Sequence, residues 1–131
     1  MKAIHISMLL ATAVSAETLA DFRWEKRLLV VTRSTPAIQK MLAAEKAGLA
    51  ERDLEVFVLD GPGRPPGAAL AKQLREKLKP RKDVPEVLLL GKDGQTTLRW
   101  KAADFTPAAL YASIDAMPMR QREMKERGEG N

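Results

Sequence analysis

The sequence predicts an α/β fold in which helices cover both faces of a mixed four-stranded sheet. Three observations predict it. Apolar runs of strand length alternate with segments of helical periodicity. The last two strands are separated by only a short turn. A chain of 131 residues without cysteine is long enough for one core that needs no disulfide. The predicted order along the chain is β-α-β-α-β-β-α.

Residues 1–16 have the pattern of a secretory signal peptide. Lys2 gives a positive start, a mostly apolar run follows, and Val14-Ser15-Ala16 ends it with the small or slim residues that a signal peptidase recognises. The run is too short to cross a bilayer, and no later segment is apolar enough to do so. We expect an exported domain at residues 17–127, periplasmic or secreted, and a flexible C-terminal end at 128–131. The alternative for the leader is a buried N-terminal helix or strand.

The first strand and helix follow an amphipathic segment at residues 19–25. Residues 27–32 form an apolar run after one arginine, which is typical of a strand buried in a parallel sheet. Thr35 is the expected N-cap of a helix, with Pro36 at its first position and apolar residues at helical spacing behind it. Gly48 is expected to close that helix.

A second strand is predicted at residues 54–59, before a loop at 60–67 in which prolines and glycines prevent a regular ladder. The next helix covers residues 68–78, because leucines spaced four apart share one face, and Pro80 ends it. Because a helix connects the first two strands, they are expected to run parallel.

The last two strands are predicted as a hairpin. They cover residues 86–90 and 96–100, and Gly91-Lys92-Asp93-Gly94 between them is a turn signal whose aspartate is a turn residue. Thr106 then begins a capped helix. A proline interrupts that helix, and a short polar helix is predicted at 118–127.

The composition excludes several chemistries. The chain has no cysteine, and its single histidine, His5, lies in the expected leader. Thiol and disulfide chemistry are therefore excluded, and the mature chain lacks the groups for a Ser-His-Asp triad or for a histidine or thiolate metal site. Lysines and arginines are dispersed among nearly as many acids, with a net charge of +5 and only six aromatic residues. We therefore predict no nucleic-acid binding, no metal and no cofactor.

The third strand and the turn after it resemble the corresponding part of thioredoxin. Val84-Pro85 precedes the strand, and Lys92-Asp93-Gly94 follows it. In thioredoxins the proline directly before this strand is cis and faces the active site, so the resemblance implies that Pro85 is a cis proline. The redox motif would lie between the first strand and the first helix, where this chain has Arg33-Ser34-Thr35-Pro36. The resemblance thus implies a thioredoxin-like fold, and the lack of cysteine removes disulfide oxidoreductase activity.

One family is a closer match, and four groups of residues carry the resemblance. They are Phe22-Arg23-Trp24 with Arg27, Leu49 with Glu51-Arg52-Asp53, Gly91-Lys92-Asp93-Gly94, and Ile114-Asp115-Ala116-Met117-Pro118-Met119-Arg120 with Glu123. They resemble the domain-of-unknown-function 4174 family (DUF4174) over nearly all of the mature chain, and the last group is the most specific. Members are exported bacterial proteins, and similar domains occur in animal extracellular proteins. The resemblance implies a thioredoxin-like fold and an extracytoplasmic location, and it carries no activity, catalytic residue or cofactor.

The former active-site edge of such a fold is the first candidate binding site. It comprises Arg33, Ser34, Thr35 and Pro85. Without a base nearby, neither hydroxyl can be activated, and helix capping explains both Ser34 and Thr35. The helix N-terminus, with Arg33 beside it, could still bind an anion.

Two further segments are candidates, each with a structural alternative. Met117-Pro118-Met119-Arg120 would present two flexible thioethers and an arginine at an exposed bend, which suits partner recognition. We favour the structural interpretation, in which Met117 and Met119 seal the last helix onto the sheet and Arg120 pairs with Glu123 at the surface. Trp24 and Arg27 could clamp an anionic ligand, although a tryptophan near a strand start more often caps the core. Glu51-Arg52-Asp53 is interpreted as a solvated turn network.

We therefore expect a non-catalytic protein-binding module, not an enzyme. It would hold an unidentified protein or matrix partner at the former active-site edge, with the Met-Pro-Met-Arg bend as a candidate extension of that surface. Two alternatives stay open: a cysteine-independent enzyme or redox-accessory protein acting at the same edge, and a binder of anionic envelope polymer or lipid. Salt-sensitive binding would separate the last alternative from a protein interface. No oligomeric state is predicted.

Overall fold

The computed structural model describes residues 17–128, and its centre is a mixed sheet in which the four strands, counted along the chain, lie in the order second, first, third and fourth. The strands are β1 (Arg27–Val31), β2 (Leu54–Val58), β3 (Glu86–Leu90) and β4 (Thr97–Lys101). β1 pairs with β2 in parallel and with β3 antiparallel, and β3 forms the hairpin with β4. The predicted mixed four-stranded sheet is confirmed, with four strand ends displaced by one residue, a difference of the size expected at element boundaries. The predicted signal peptide lies outside the described residues, as do residues 129–131 of the predicted flexible end.

Six α-helices and one turn of 3₁₀ helix connect and flank the strands within the described part of the chain. They are α1 (Leu19–Phe22), α2 (Pro36–Ala44), α3 (Lys46–Glu51), α4 (Ala68–Leu78), the 3₁₀ turn (Ala102–Asp104), α5 (Pro107–Asp115) and α6 (Pro118–Arg127). The predicted bounds of α4 and α6 are confirmed. No helix among residues 17–128 is long and apolar enough to cross a membrane.

The helix starts follow the capping chemistry in the sequence. The Thr35 hydroxyl accepts a hydrogen bond from the Ile38 N–H (3.2 Å) at the start of α2, and the Thr106 hydroxyl accepts one from the Ala109 N–H (3.1 Å) at the start of α5. Each threonine is followed by a proline, whose fixed φ suits the first helical position. Both predicted N-caps are confirmed.

The first predicted helix is divided in two, and Gly48 does not end it. α2 ends at Ala44, and Gly48 lies inside α3. A Cβ atom at position 48 would lie 2.4 Å from the Tyr111 hydroxyl oxygen, so the glycine allows the Tyr111 ring of α5 to approach the backbone of α3. The expectation that Gly48 acts as a helix terminator is wrong, because the glycine serves a tertiary contact that local sequence does not reveal.

Alternation along β1 and β3 builds one core layer on each face of the sheet. Leu29, Val31, Val87 and Leu89 face one layer with α2 and α5, whereas Leu28, Val30, Leu88 and Leu90 face the other with α1 and α4. All eight side chains are buried. β1 and β3 are therefore apolar on both faces, as the unbroken apolar runs predict, and helices cover both sides of the sheet.

The prediction that Pro85 is a cis proline is wrong. No peptide bond in the described residues is cis, so the Val84–Pro85 bond is trans. The trans form is preferred by about 0.5–1 kcal/mol in an X–Pro bond, and the turn that follows α4 already brings the chain to β3. The Pro85 carbonyl accepts a hydrogen bond from the Ala102 N–H (2.9 Å), which continues the β3–β4 pairing beyond the strand ends.

Candidate functional site

β1 runs between two edges of the sheet. The charged side chains at these two edges differ in whether they form ion pairs. The carboxyl end of β1 leads into Thr32 and Arg33, and its amino end is Arg27. Because β1 has five residues and a strand rises roughly 3.3 Å per residue, the two ends lie about 13 Å apart. We call them the carboxyl edge and the amino edge.

An open cleft of about 480 Å³ lies at the carboxyl edge, outside the ends of β1 and β2. It is lined by residues that follow these two strands and by residues from the last turn of α4 onward. These are Thr32, Arg33, Leu59, Asp60, Arg75, Lys79, Pro80, Arg81 and Lys82. Because five of the nine are cations and one is an anion, we call it the basic cleft.

The five cations of the basic cleft are exposed and unpaired. Each has an exposed side chain, and none forms an ion pair with a carboxylate of residues 17–128. Arg33 Nη2 donates to the Lys82 carbonyl (3.4 Å), which ties the segment after β1 to the segment after α4. The single carboxylate of the lining belongs to Asp60, whose backbone carbonyl accepts from the Ser34 N–H (2.9 Å). The cleft therefore presents a concentrated and unneutralised positive charge.

Most polar groups beside the basic cleft already have structural partners. The Thr32 hydroxyl accepts from the Glu86 N–H (2.8 Å), and Thr35 caps α2. The buried Glu86 carboxylate accepts from Arg99 Nη1 (3.2 Å) and from the Arg81 N–H (3.0 Å). A carboxylate held by two donors in this way is not a free general base.

Ser34 differs from the expectation that it caps a helix together with Thr35. Thr35 alone provides the cap, and the Ser34 hydroxyl is buried without a hydrogen-bond partner among the described residues. It lies beneath the loop after β2, where a Cβ atom on Gly61 would come within 3.4 Å of the Ser34 Cβ. Pro85 lies at the same edge and does not line the cleft. Of the four residues predicted for this edge, Arg33 is the one that contributes directly to the cleft.

The amino edge contains a network of ion pairs, which we call the charge network. It joins five cations to four carboxylates from the starts of β1 and β2, the β3–β4 turn and the last two helices. Its members are Arg27, Arg52, Lys92, Arg120 and Arg127 with Glu51, Asp53, Asp115 and Glu123. In contrast to the basic cleft, every cation here is paired.

Glu123 is the central acceptor of the charge network. Its carboxylate accepts two hydrogen bonds from Arg27 (both 3.1 Å) and one from Lys92 Nζ (2.7 Å). Arg27 is 1% exposed and Lys92 is 7% exposed, so both cations are removed from water. Burial alone would raise the pKa of Glu123, but the hydrogen bonds and charges of Arg27 and Lys92 lower this pKa below its ordinary value.

Two further carboxylates are held in the same way. Asp115 accepts from Arg52 (2.9 and 3.0 Å) and from Arg120 Nε (3.0 Å), and Asp53 accepts from Lys92 Nζ (2.8 Å) and Arg127 Nη2 (2.7 Å). Burial raises the pKa of each, and the hydrogen bonds from these cations outweigh it, so that both pKa values are lowered. Asp53, Asp115 and Glu123 are therefore ionised at neutral pH.

The guanidinium of Arg52 also lies 3.8 Å from the centre of the Tyr111 ring. The Tyr111 hydroxyl donates to Glu45 (2.7 Å), and burial together with that hydrogen bond raises the pKa of Tyr111 to about 12. Among residues 17–128, no three aspartate, glutamate or histidine side chains converge as metal ligands.

The structure corrects three expectations at the amino edge. Arg120 does pair with Glu123 (4.0 Å), but not at the surface, because Arg120 is 1% exposed and its shorter contacts are with Asp115 and Glu51. Arg27 cannot clamp a ligand together with Trp24, because its guanidinium is buried against Glu123. Trp24 does not cap the core either, since its side chain is 59% exposed and its backbone has a φ of +68°.

Of two other segments at this edge, the charged one departs from its sequence interpretation, whereas Met117 packs against the core as the structural interpretation predicts. Glu51-Arg52-Asp53 is part of the charge network rather than a solvated turn. Met117 packs against the core, and Met117-Pro118-Met119 lines a second cleft of about 370 Å³ together with Arg27 and Lys92. That cleft lies at the amino edge, so the Met-Pro-Met-Arg bend does not extend the surface around Arg33. Asp93 is a turn residue as expected, and it accepts from the Gln95 and Thr96 N–H groups (both 2.9 Å).

Four of the five cleft cations were not predicted as site residues. Arg75, Lys79, Arg81 and Lys82 occur within eight consecutive residues that contain five basic side chains. This local concentration is the signal that could identify them, although the average over the whole chain suggests dispersed charge. Their convergence with Arg33 depends on the pairing of β1 with β3, which a local pattern does not show.

Comparisons with known proteins agree with this architecture. A family model described as Domain of unknown function (DUF4174) matches residues 18–123. Among solved structures, the chain is similar to a reduced 2-Cys peroxiredoxin of Plasmodium vivax, with a TM-score of 0.50 and 17% sequence identity, over 84% of this chain and 72% of that chain. At this identity the likeness concerns the fold alone, and it confirms the predicted thioredoxin-like architecture. No match was found among curated proteins.

Proposed function

Because this chain belongs to the DUF4174 family, whose description names no activity, we propose its function from its own residues: it is an exported, non-catalytic module that binds a protein partner at the carboxyl edge. The pattern of residues 1–16 supports export. The observation that carries the binding role is the basic cleft, in which five exposed cations surround an open space of about 480 Å³ and none forms an ion pair with a carboxylate of residues 17–128.

Binding without catalysis is supported by the state of the neighbouring polar groups. The chain has no cysteine, so the thiol chemistry of thioredoxin-fold enzymes cannot occur. The Thr32 and Thr35 hydroxyls accept structural hydrogen bonds, and the Glu86 carboxylate is held by Arg99. An activated nucleophile needs a hydroxyl next to a free base, and the described part of this edge offers no such pair. The proposal therefore includes no redox activity, and the role that it assigns to the carboxyl edge is binding of a partner.

The same positive charge favours a second candidate, an anionic polymer or lipid of the cell envelope. Exposed cations attract any polyanion, and this attraction is screened within about 8 Å at physiological ionic strength. A test of the proposal must therefore identify the class of molecule bound as well as the surface that binds it.

Site-directed photo-crosslinking in cells tests both points. The full chain, expressed with its own leader, carries a photoreactive residue at position 82 in the basic cleft or, as a matched control, at position 101 at the exposed end of β4. We expect a discrete crosslinked species from position 82 that is absent from position 101 and is degraded by protease. A protease-resistant species would instead favour the polymer or lipid, and the lack of any crosslink at position 82 would refute binding at this edge.

The location is tested by N-terminal sequencing of the chain recovered from the extracytoplasmic fraction. We expect Glu17 as the first residue. Recovery only from the cytoplasm with Met1 retained would contradict export.

A further inference from the structure

The positive charge of the basic cleft needs an explanation beyond the stability of the fold. Arg75 and Lys79 lie at the C-terminal end of α4, where the helix dipole favours cations. Arg33, Arg81 and Lys82 lie outside helices, and each of them adds repulsion to the cluster. At the amino edge, by contrast, every cation of the charge network has a carboxylate partner. The unpaired cluster is therefore the feature of this molecule that a negatively charged ligand would complete.

The geometry of the cleft is suited to a ligand held between two walls. Arg33 belongs to the segment after β1, and the other four cations belong to the last turn of α4 and the segment that follows it. The hydrogen bond from Arg33 to the Lys82 carbonyl (3.4 Å) joins these walls. The cleft opens outside the carboxyl ends of two parallel strands, the position where open α/β sheets bind ligands. Its volume of about 480 Å³ is within the usual range of roughly 300–1,000 Å³ for ligand sites.

The remaining lining residues distinguish between kinds of anion. Asp60 is the one acidic residue of the lining, and Leu59 and Pro80 are its apolar residues. A uniformly charged chain such as polyphosphate would bring some of its negative charges close to Asp60, which would repel them. A peptide can place an uncharged residue there and an apolar side chain against Leu59, while its carboxylates meet the arginines in two-point hydrogen bonds.

We infer that the basic cleft binds an acidic segment of a protein, in which glutamates or aspartates are separated by small uncharged residues. This inference rests on the proposed function, since it specifies the chemistry of the partner at the same edge. The arginines and lysines select a negatively charged segment. Asp60 and the apolar lining select a segment whose acidic residues are separated by uncharged ones.

Fluorescence anisotropy with defined probes tests the inference on the full chain. The probes are the peptide (Glu-Ala)4, its neutral counterpart (Gln-Ala)4, polyphosphate, and vesicles that contain phosphatidylglycerol. The cleft variant is Arg33→Glu with Lys82→Glu, and the control variant is Lys40→Glu with Lys101→Glu, which reverses two exposed charges outside the cleft. Both variants change the net charge equally, and equal thermal unfolding curves would show that both are folded.

We expect (Glu-Ala)4 to bind the wild-type chain, (Gln-Ala)4 not to bind, and the cleft variant to lose affinity by about tenfold or more, while the control variant changes it by less than about threefold. Equal losses in the two variants would indicate attraction to net charge alone and would overturn the inference. Tighter cleft-dependent binding of polyphosphate or vesicles would overturn it too. A protein crosslinked from position 82 without peptide affinity would refute the acidic segment and leave the proposed function standing, whereas no crosslink would remove both.

Discussion

Replacement of Glu123 by glutamine tests whether the charge network stabilises the fold. The carboxylate accepts two hydrogen bonds from Arg27 and one from Lys92, and both cations are almost fully buried. Glu123→Gln keeps the size of the side chain and removes the charge. Arg27 then retains a bond to the Arg52 carbonyl (3.0 Å), and Lys92 retains Asp53.

The contacts that Arg27 and Lys92 keep determine how much the free energy of unfolding is expected to fall. Removal of one partner from a buried ion pair costs about 3–5 kcal/mol, because the other charge is left without a counter-ion in a poorly solvated site. Since Lys92 keeps Asp53 and glutamine still offers one acceptor oxygen, we expect a loss near the lower limit, about 3 kcal/mol. This is a large part of the ~5–15 kcal/mol that stabilises a domain of ordinary size.

Urea unfolding followed by circular dichroism at pH 7 measures this loss. We expect a lower midpoint with an unchanged m value, and a fall in Tm on the order of 10 °C. Glu126→Gln is the matched control, because Glu126 is an exposed carboxylate of the same helix. That variant should stay within about 0.5 kcal/mol of the wild type.

A double-mutant cycle with Arg27→Met identifies the interaction itself. If Arg27 and Glu123 stabilise each other, Glu123→Gln should cost clearly less in the Arg27→Met background than in the wild type. The reasoning is refuted if Glu123→Gln costs no more than Glu126→Gln, or if the two substitutions are simply additive.

Three further predictions concern the acidic residues of the charge network, Gly48 and Lys79. The folded pKa values of Asp53, Asp115 and Glu123 are lowered, so the stability that they provide is fully present above their unfolded pKa values of about 4 and is lost as the pH falls through the lower folded values. Urea unfolding between pH 7 and pH 3 should show this loss, and a flat profile would contradict it. Gly48→Ala should cost about 1–3 kcal/mol through its clash with Tyr111, and a smaller cost in a Tyr111→Leu background, measured by thermal unfolding, would confirm the cause. Lys79→Gly should stabilise the chain by about 0.5–1 kcal/mol, because residue 79 has a φ of +47°; Lys79→Ala keeps that strain and should give no gain.

The elements that follow from local patterns are the ones that the sequence predicts well. The bounds of α4 and β3 agree with the structure to the residue, because each is a periodic or continuous apolar run with clear stops on both sides. Thr35 and Thr106 cap helices for the same reason, since the cap and the N–H group that it binds are three residues apart.

The charge network could not be predicted in this way. Arg27 and Glu123 are 96 positions apart in the chain, and Arg120 is buried in a helix that is otherwise polar. Buried arginines are rare, so a polar helix suggests a surface position for each of its charged residues. The fold must be known before these side chains can be paired, and the same is true of the convergence of Arg33 with the cations after α4.

The way in which α6 is attached determines which side chains become exposed to water if this helix detaches from the domain. Its buried residue is Arg120, and among residues 17–128 neither core layer includes a side chain from this helix. If α6 detaches, water reaches charged groups such as Arg27 and Lys92, while the leucine and valine layers stay covered by the other helices. Aggregation usually begins from exposed apolar surface or unpaired strand edges. Detachment of this helix would therefore break ion pairs and expose charged groups rather than the apolar surface from which aggregation begins.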